Sequence, residues 1–154
     1  MKRSAGLLMY RGGAAGAQVL LAHPGGPFWA RKDHGAWTLP KGELNEAEEP
    51  LAAACREFQE ETGVTPHGDF LALGDVRQQG GKQVQAWAFA GDFDPAQLRS
   101  NTFELEWPPR SGRRQAYPEL DRVEWFAPDE ARLRILPAQQ PFIDRLQALL
   151  MPRP

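Results

Sequence analysis

Three acidic side chains near the middle of the chain, Glu57, Glu60 and Glu61, have the residue type and the spacing of a metal site. They stand at positions i, i+3 and i+4, which are neighbours on the surface of an α-helix. Carboxylates this close repel one another, and at the C-terminal end of a helix the dipole adds to that repulsion. A hard divalent cation such as Mg²⁺ or Mn²⁺, which prefers oxygen ligands, would relieve it. The alternative is a solvated acidic face with Arg56 as a partial counter-ion.

The segment from Pro50 to Gly63 is predicted to form the helix that carries these carboxylates. Proline suits a first helical turn and glycine a left-handed C-terminal cap, while the alanine-rich interior favours helix. At about 100° per residue, one side of this helix is apolar and carries Leu51, Ala54, Cys55, Phe58 and Thr62. The glutamates fall on a different side. Cys55 is therefore expected to be a core residue rather than a nucleophile.

The length and the charge of the chain limit the classes of function that it can serve. Its 154 residues are expected to form one domain, residues 1–154, with enough apolar chain for a core. The formal net charge of −2 argues against general binding of nucleic acid through a basic face. Seven acidic residues and one basic residue fall within residues 42–64, so the rest of the chain is net positive. This distribution suits a cation site beside a surface for an anionic substrate.

The chain has no segment that predicts a membrane span or export. Its apolar runs are too short to cross a bilayer, and the N-terminus lacks the pattern of a signal peptide. The single cysteine excludes an internal disulfide and a multi-cysteine zinc site. We therefore expect a cytoplasmic protein without a membrane partner.

Strand-like and helix-like segments surround the acidic helix. Strands are predicted at residues 5–10, 17–22, 37–39, 68–77, 82–90 and 122–126, and further helices at 129–133 and 139–150. Residues 23–36 are predicted to form a loop, and residues 92–118 to be irregular because prolines interrupt them. Strands mixed with helices, without a long linker, indicate one α/β or α+β domain.

From Gly42 to Val64 the sequence is similar to the Nudix box, Gly-x5-Glu-x7-Arg-Glu-U-x-Glu-Glu-x-Gly-U, where U is an apolar residue. All nine specified positions match over these 23 residues, and the lead-in from Trp37 also resembles the family's approach strand. The resemblance implies an α/β fold of the Nudix type, an α/β/α sandwich around a mixed β-sheet. It also implies hydrolysis, dependent on Mg²⁺ or Mn²⁺, of a nucleoside diphosphate linked to another moiety.

The same resemblance implies roles for individual residues of the box. Glu57, Glu60 and Glu61 would be the metal-binding carboxylates, and the backbone carbonyl of Gly42 would be a further ligand. Arg56 would hold the box carboxylates in place through its planar fork of donors. The implied chemistry agrees with these residues, because pyrophosphate hydrolysis needs an in-line water and positive charge at the phosphoryl oxygens rather than a covalent protein nucleophile.

The general base is left open by the resemblance, because Nudix enzymes take it either from the box or from a glutamate in a later loop. The later candidates in this chain are Glu104, Glu106 and Glu119. Of these we favour Glu104 and Glu119. For each candidate the alternative is an acid that only faces solvent.

Basic and aromatic residues outside the box supply candidate contacts to a substrate. Lys41, directly before the box, and Arg31 would meet phosphates, and Trp29 or Phe28 would stack on a base. Lys82, beside a predicted hairpin turn, is a similar candidate. The alternatives are a loop that packs its aromatic residues against the sheet and basic residues that are only solvated.

The substrate class follows from the lead-in to the box, Pro40-Lys41-Gly42-Glu43, which resembles that of the family's nucleoside triphosphate and dinucleoside polyphosphate hydrolases. We therefore expect a small-molecule nucleotide substrate of one of these two classes. The alternatives are an ADP-ribose or nucleotide-sugar pyrophosphatase, and a non-catalytic nucleotide-binding module with the Nudix fold.

Overall fold

A computed structural model describes residues 2–12 and 16–151, in which a mixed β-sheet lies between helices. The strands are β1 (Arg3–Arg11), β2 (Gln18–Pro24), β3 (Lys41–Glu43), β4 (Leu71–Arg77), β5 (Gln83–Ala90), β6 (Thr102–Glu106), β7 (Arg114–Pro118) and β8 (Leu120–Phe126). The α-helices are α1 (Pro50–Thr62), α2 (Pro128–Arg134) and α3 (Gln140–Leu150). None of the helices described here combines the length and the apolar character that a membrane span requires.

The main sheet is organised around β1. This strand pairs in parallel with β5 and antiparallel with β2 and β3. The strand order is β4-β5-β1-β2-β8, with β3 attached to β1, and β4 and β8 are both antiparallel to their neighbours. β6 and β7 form a separate two-stranded sheet. The combination of parallel and antiparallel pairs confirms the predicted mixed sheet.

Side chains that alternate along β1 divide the core into two layers. Leu7 and Met9 belong to the layer under α1, where Phe58 packs. Leu8 points to the other face of the sheet and belongs to the layer that contains Phe142 of α3. Successive residues of a strand face opposite sides, so a single strand contributes to both layers. The α/β/α sandwich expected for the chain is confirmed.

Most of the predicted elements are confirmed with ends shifted by a few residues, but the strand at residues 37–39 is wrong. Trp37 forms an isolated bridge with Ile135, and Thr38 forms one with β2. Regular pairing with β1 begins only at Lys41, beyond Pro40. Residues 37–39 form no continuous β-ladder, because Trp37 and Thr38 pair with different segments of the chain.

The prediction that residues 92–118 are irregular is wrong for β6 and β7. These strands pair in antiparallel register, and the rings of Phe103 and Tyr117 lie 6.1 Å apart across them. Pro108 and Pro109 lie in the turn between the strands, so they interrupt neither of them. The partly buried side chains of β6 alternate with exposed glutamates, which is the period of a strand.

Candidate active site

Helix α1 directs its carboxylates into different surroundings. Its buried side is wider than the spacing of apolar residues predicts, because Ala53 and Glu61 also lie on it. Glu61 is 6% exposed and the side chain of Glu57 is 16% exposed, whereas that of Glu60 is 42% exposed. Two of the three predicted ligands therefore point into the protein, and the third lies at the solvent edge.

The end of α1 has the predicted glycine cap. Gly63 adopts a φ of 85°, in the left-handed region, and its N–H donates to the carbonyl of Gln59 at 2.8 Å. Thr62 also ties the end down, because its hydroxyl donates to the carbonyl of Phe58 at 2.7 Å. These bonds fix the last turn, which carries Glu60 and Glu61.

Strand β3 passes directly over Glu57, and Gly42 makes this approach possible. A Cβ atom at position 42 would lie 2.0 Å from Cδ of Glu57 and 2.2 Å from Oε2. Only glycine fits at that distance. The backbone of Gly42 therefore lies against the Glu57 carboxylate, which suits the expected use of both groups on one cation.

Arg56 holds the acidic residues of the box together. Its Nε donates to Glu48 Oε2 at 2.8 Å, and its Nη1 donates to Glu57 Oε1 at 3.0 Å and to Glu60 Oε1 at 3.1 Å. A further bond runs from Nη2 to the backbone carbonyl of Glu43 at 3.2 Å. The guanidinium lowers the pKa of Glu48 to about 2 through hydrogen bonds. These contacts are those that the positioning role expected of Arg56 requires, and the role itself stays a prediction.

The Glu61 carboxyl lies in an environment that opposes its charge. Burial raises its pKa to about 9, and the negative charges of Glu57 and Glu119 contribute, while Lys41 acts in the opposite direction. Burial and the charge of Glu60 raise the pKa of Glu57, although Arg56 lowers it. Within the described part of the chain, Oε2 of Glu61 is buried without a hydrogen-bond partner. A buried acceptor of this kind is costly unless something positive binds it.

The two favoured candidates for the general base, Glu119 and Glu104, lie in different surroundings. Glu119 lies between β7 and β8, close enough to Glu57 and Glu61 for its charge to raise the pKa of both. Burial raises the pKa of Glu119 itself. Glu104, on β6, is 68% exposed and pairs with Arg114 at 3.5 Å. Glu119 therefore belongs to the carboxylate group, and Glu104 lies on the exposed side of the hairpin.

Within residues 2–12 and 16–151, no group of three or more His, Cys, Asp or Glu side chains is close enough together to hold a metal ion as it stands. The hydrogen bond from Arg56 accounts for the position of Glu60, which turns toward the guanidinium. The groups nevertheless fit a hard cation. They offer oxygen ligands, including the Glu61 Oε2 atom that has no hydrogen-bond partner among the described residues, and their mutual repulsion favours a positive ion between them.

The basic candidates differ in their distance from these carboxylates. Lys41 is partly buried, and its pKa is lowered by burial and by the charge of Lys82, while Glu61 raises it. Lys41 is therefore close enough to both Lys82 and Glu61 for their charges to act on it. Arg31 is exposed on the loop after β2.

The predicted stacking residue, Trp29, lines a cavity of about 310 Å³ together with Phe28, Phe103, Leu105 and Glu119. Sequence reasoning missed Phe103 and Leu105, because it treated β6 as irregular. The signal was available in the alternation of Phe103 and Leu105 with glutamates. The cavity brings together the loop after β2, the hairpin and the candidate base.

Comparison with known proteins supplies the family. A family model described as the NUDIX domain matches residues 1–146. An RNA pyrophosphohydrolase of Rhizobium meliloti (strain 1021) is 30% identical over 116 residues, which cover 66% of this chain and 64% of that protein. An 8-oxo-(d)GTP phosphatase of Mycolicibacterium smegmatis is 36% identical over 110 residues, which cover 60% of this chain and 31% of that protein. The chain thus spans less than two thirds of the length of these curated relatives.

Solved structures share the fold. A Caenorhabditis elegans Ap4A hydrolase in a binary complex superposes with a TM-score of 0.68 at 21% identity, covering 96% of this chain and 97% of that chain. The NUDIX domain of Shewanella oneidensis NrtR, complexed with ADP ribose, has a TM-score of 0.66 at 15% identity and covers 97% of this chain and 88% of that chain. The match of the NUDIX domain over residues 1–146, a range that contains the complete box, means that this chain belongs to the Nudix hydrolase family.

Proposed function

We propose that the protein hydrolyses a phosphoanhydride bond of a nucleoside triphosphate or a dinucleoside polyphosphate with the help of Mg²⁺ or Mn²⁺. The observation that carries this proposal is the buried Glu61 carboxyl, which has an oxygen without a partner among the described residues and lies near Glu57 and Glu119. Such a group is unfavourable unless a cation binds there. The names of the relatives, an RNA pyrophosphohydrolase and an 8-oxo-(d)GTP phosphatase, support the reaction class.

The proposed ligands of the cation are Glu57, Glu61 and the carbonyl of Gly42, with Glu60 joining them from the solvent edge. A divalent ion held there would supply positive charge to the phosphoryl oxygens and would lower the pKa of a bound water molecule. Arg56 keeps the carboxylates in place, since it bonds to Glu57 and Glu60 simultaneously. The chain itself therefore contributes position and charge rather than a covalent nucleophile.

Glu119 is the proposed general base. Its carboxyl is half-buried and its pKa is raised by burial, which brings it nearer to neutral pH, where a base works best. In this role it accepts the proton of the attacking water at a carboxylate oxygen. Glu104 is disfavoured because it is exposed and pairs with Arg114.

The remaining side chains are assigned to substrate binding. Lys41 binds phosphate oxygens, because its ammonium group lies close enough to Glu61 and Glu57 for their charges to act on it. Lys82, whose charge acts on Lys41, is assigned a second phosphate contact. Arg31 extends the phosphate contacts from the exposed loop. Trp29 stacks on the nucleobase from the wall of the cavity.

The direct test is a substrate panel with Mg²⁺ or Mn²⁺ that contains nucleoside triphosphates, oxidised triphosphates, dinucleoside polyphosphates, ADP-ribose and nucleotide sugars. We expect turnover of members of the first three groups. Turnover confined to ADP-ribose or nucleotide sugars would contradict the proposed class. Tight binding without turnover, with either metal, would favour a non-catalytic module instead.

Glu61→Gln removes the charge of the central carboxyl and keeps its shape. Because positive charge at the phosphoryl oxygens is worth several kcal/mol, we expect kcat/KM to fall by roughly 10³-fold. Leu149→Ala, a change of an exposed residue on α3, is the control and should leave the rate unchanged. An unchanged rate in Glu61→Gln would show that the ligand assignment is wrong.

A further inference from the structure

The cavity that contains Trp29 has walls from two separate parts of the chain. The loop of residues 25–36, called here the aromatic loop, contributes Phe28 and Trp29, and β6 contributes Phe103 and Leu105. Its volume of about 310 Å³ is at the small end of ligand pockets, with room for a base and its ribose. Glu119 completes the lining at the side of the carboxylate group.

The walls of this cavity are held in place before any ligand binds. Nε2 of the buried His23 donates to the carbonyl of Lys32 at 2.6 Å, and Nδ1 lies 2.8 Å from Oδ1 of Asp121. The aromatic loop is also tied by Asp33, which accepts from Arg134 Nη1 at 2.6 Å. These bonds join the loop to β2, β8 and α2, so that ligand binding orders little additional chain.

The two aromatic residues of the loop are fixed against each other. The rings of Phe28 and Trp29 meet edge to face at 5.1 Å, and the ammonium group of Lys32 lies 3.7 Å from the centre of the Phe28 ring. Across the cavity, Phe103 packs close to Gly26, where a Cβ atom would lie 3.1 Å from the Phe103 ring. The absence of a side chain at Gly26 leaves this part of the cavity open.

The chemistry of the lining favours a flat, uncharged ring over a phosphate. The side chains on the walls are aromatic or aliphatic, and the charged member of the lining is the carboxyl of Glu119, which repels anions. The N–H of Gly25, at the base of the loop, already donates to the carbonyl of Glu119 at 2.9 Å. Stacking is therefore the main interaction that these walls offer, and stacking accepts every nucleobase.

On the proposed function, which this inference deepens, we infer that the cavity binds the nucleobase of the substrate and selects purines over pyrimidines by stacking area. Trp29 and Phe103 are the specificity-determining residues. A two-ring base covers more of both walls than a one-ring base, whereas adenine and guanine present similar area. Because Glu119 stands where the cavity meets the carboxylates, the phosphates of a bound nucleotide extend toward Glu57 and Glu61.

The test measures binding of nucleoside monophosphates, which contain no phosphoanhydride bond and therefore report on the cavity without hydrolysis. Isothermal titration of AMP, GMP, CMP and UMP should give purine dissociation constants about 10-fold lower than those of the pyrimidines. AMP and GMP should agree within about 3-fold. Ribose 5-phosphate, which lacks a base, should bind more weakly than any of the four.

Three variants of the cavity walls and one control variant test which residues produce the purine selectivity. Trp29→Ala and Phe103→Leu should reduce the purine-to-pyrimidine ratio to about one, by weakening AMP roughly 10-fold, whereas Trp29→Phe should keep most of it. Phe103→Leu keeps an apolar side chain at this position. A thermal unfolding midpoint equal to that of the wild-type protein will show that this variant is folded. Leu149→Ala on α3 is the control for a change outside the cavity.

The outcomes distinguish this inference from the proposed function. A selectivity that survives in both Trp29→Ala and Phe103→Leu would overturn the inference. Equal binding of ribose 5-phosphate and AMP, or a preference above about 100-fold for one purine, which stacking does not provide, would also overturn it. If the monophosphates bind as expected and the whole substrate panel is inert, the base site stands and the proposed hydrolysis fails.

Discussion

Glu61 is buried next to other acidic side chains, and the candidate site depends on it more than on any other residue. Its carboxyl is almost inaccessible, and the charges of Glu57 and Glu119 oppose its ionisation, with Lys41 as a partial counter-charge. An apolar side chain at this position would make α1 more stable. A carboxylate here becomes favourable when a divalent cation lies between these oxygens, which is the reason to assign it a role in ligation.

Without metal, Glu61 should make the protein less stable as the pH rises. Its folded-state pKa of about 9 lies above the ordinary value of 4.5, so the folded chain retains a proton that the unfolded chain has lost. The free energy of unfolding then decreases as pH increases between these two values. Urea unfolding in EDTA from about pH 6 to about pH 9 should show this decrease, and the slope should be flatter in Glu61→Gln.

The control for the pH experiment is Glu46→Gln, which changes an exposed glutamate in the same acidic segment. It should keep the slope of the wild-type protein. Equal slopes in wild type and Glu61→Gln would mean that Glu61 does not retain its proton in the folded state.

At the scale of the elements, His23 near the end of β2 connects three parts of the site. Its ring is buried and bonds to the carbonyl of Lys32 in the aromatic loop and to Asp121, two residues beyond Glu119. It also packs edge to face on Trp37 at 5.1 Å. The aromatic loop and the start of β8 are thus positioned relative to each other by one side chain.

His23→Leu should destabilise the protein, because it leaves the Lys32 carbonyl and the Asp121 carboxylate without this partner. Losing such partners costs about 1–3 kcal/mol of unfolding free energy. His34→Ala, which changes an exposed histidine of the same loop, should stay within about 0.5 kcal/mol of wild type. Chemical denaturation at neutral pH measures both values, and equal stabilities would refute the anchoring role of His23.

At the scale of the whole molecule, the fold brings the acidic segment of the chain next to basic residues. The acidic segment of residues 42–64 is folded against the sheet, where the charges of Glu43, Glu57 and Glu61 act on Lys41, so negative and positive groups meet there. On the proposed function, a cation bound to the acidic side would add positive charge to that of Lys41 beside a phosphate chain. A cation that binds the folded chain and not the dispersed glutamates of the unfolded one would also raise global stability.

Mn²⁺ should therefore raise the thermal midpoint. At a concentration 100 times its Kd, a ligand specific for the folded state adds about 2.7 kcal/mol, which corresponds to roughly 5–10 °C for a chain of this size. Differential scanning calorimetry with and without Mn²⁺ measures the shift, and EDTA should reverse it. Glu61→Gln should show a much smaller shift, while Leu149→Ala should show the full one. No shift in the wild-type protein would mean that the acidic group binds no metal.

The sequence by itself determined the local part of the site. The bounds of α1, its cap at Gly63, and the i, i+3, i+4 spacing of the carboxylates follow from interactions within a few residues. The need for glycine at position 42 was also visible in the box pattern, although its cause, the approach of Glu57, was not. Local preferences are encoded in neighbouring residues, and a sequence displays those directly.

Only the tertiary structure decided which distant residues join them. Glu119 and Glu104 look alike in the sequence, yet the pairing of β6 with β7 leaves Glu104 exposed and returns Glu119 to the carboxylates. The cavity between Trp29 and Phe103 likewise depends on contacts between residues far apart in the chain. Such contacts depend on how the main sheet and the β6–β7 hairpin pack against each other. The local residue patterns of the sequence, such as helical or strand periodicity, do not specify that packing.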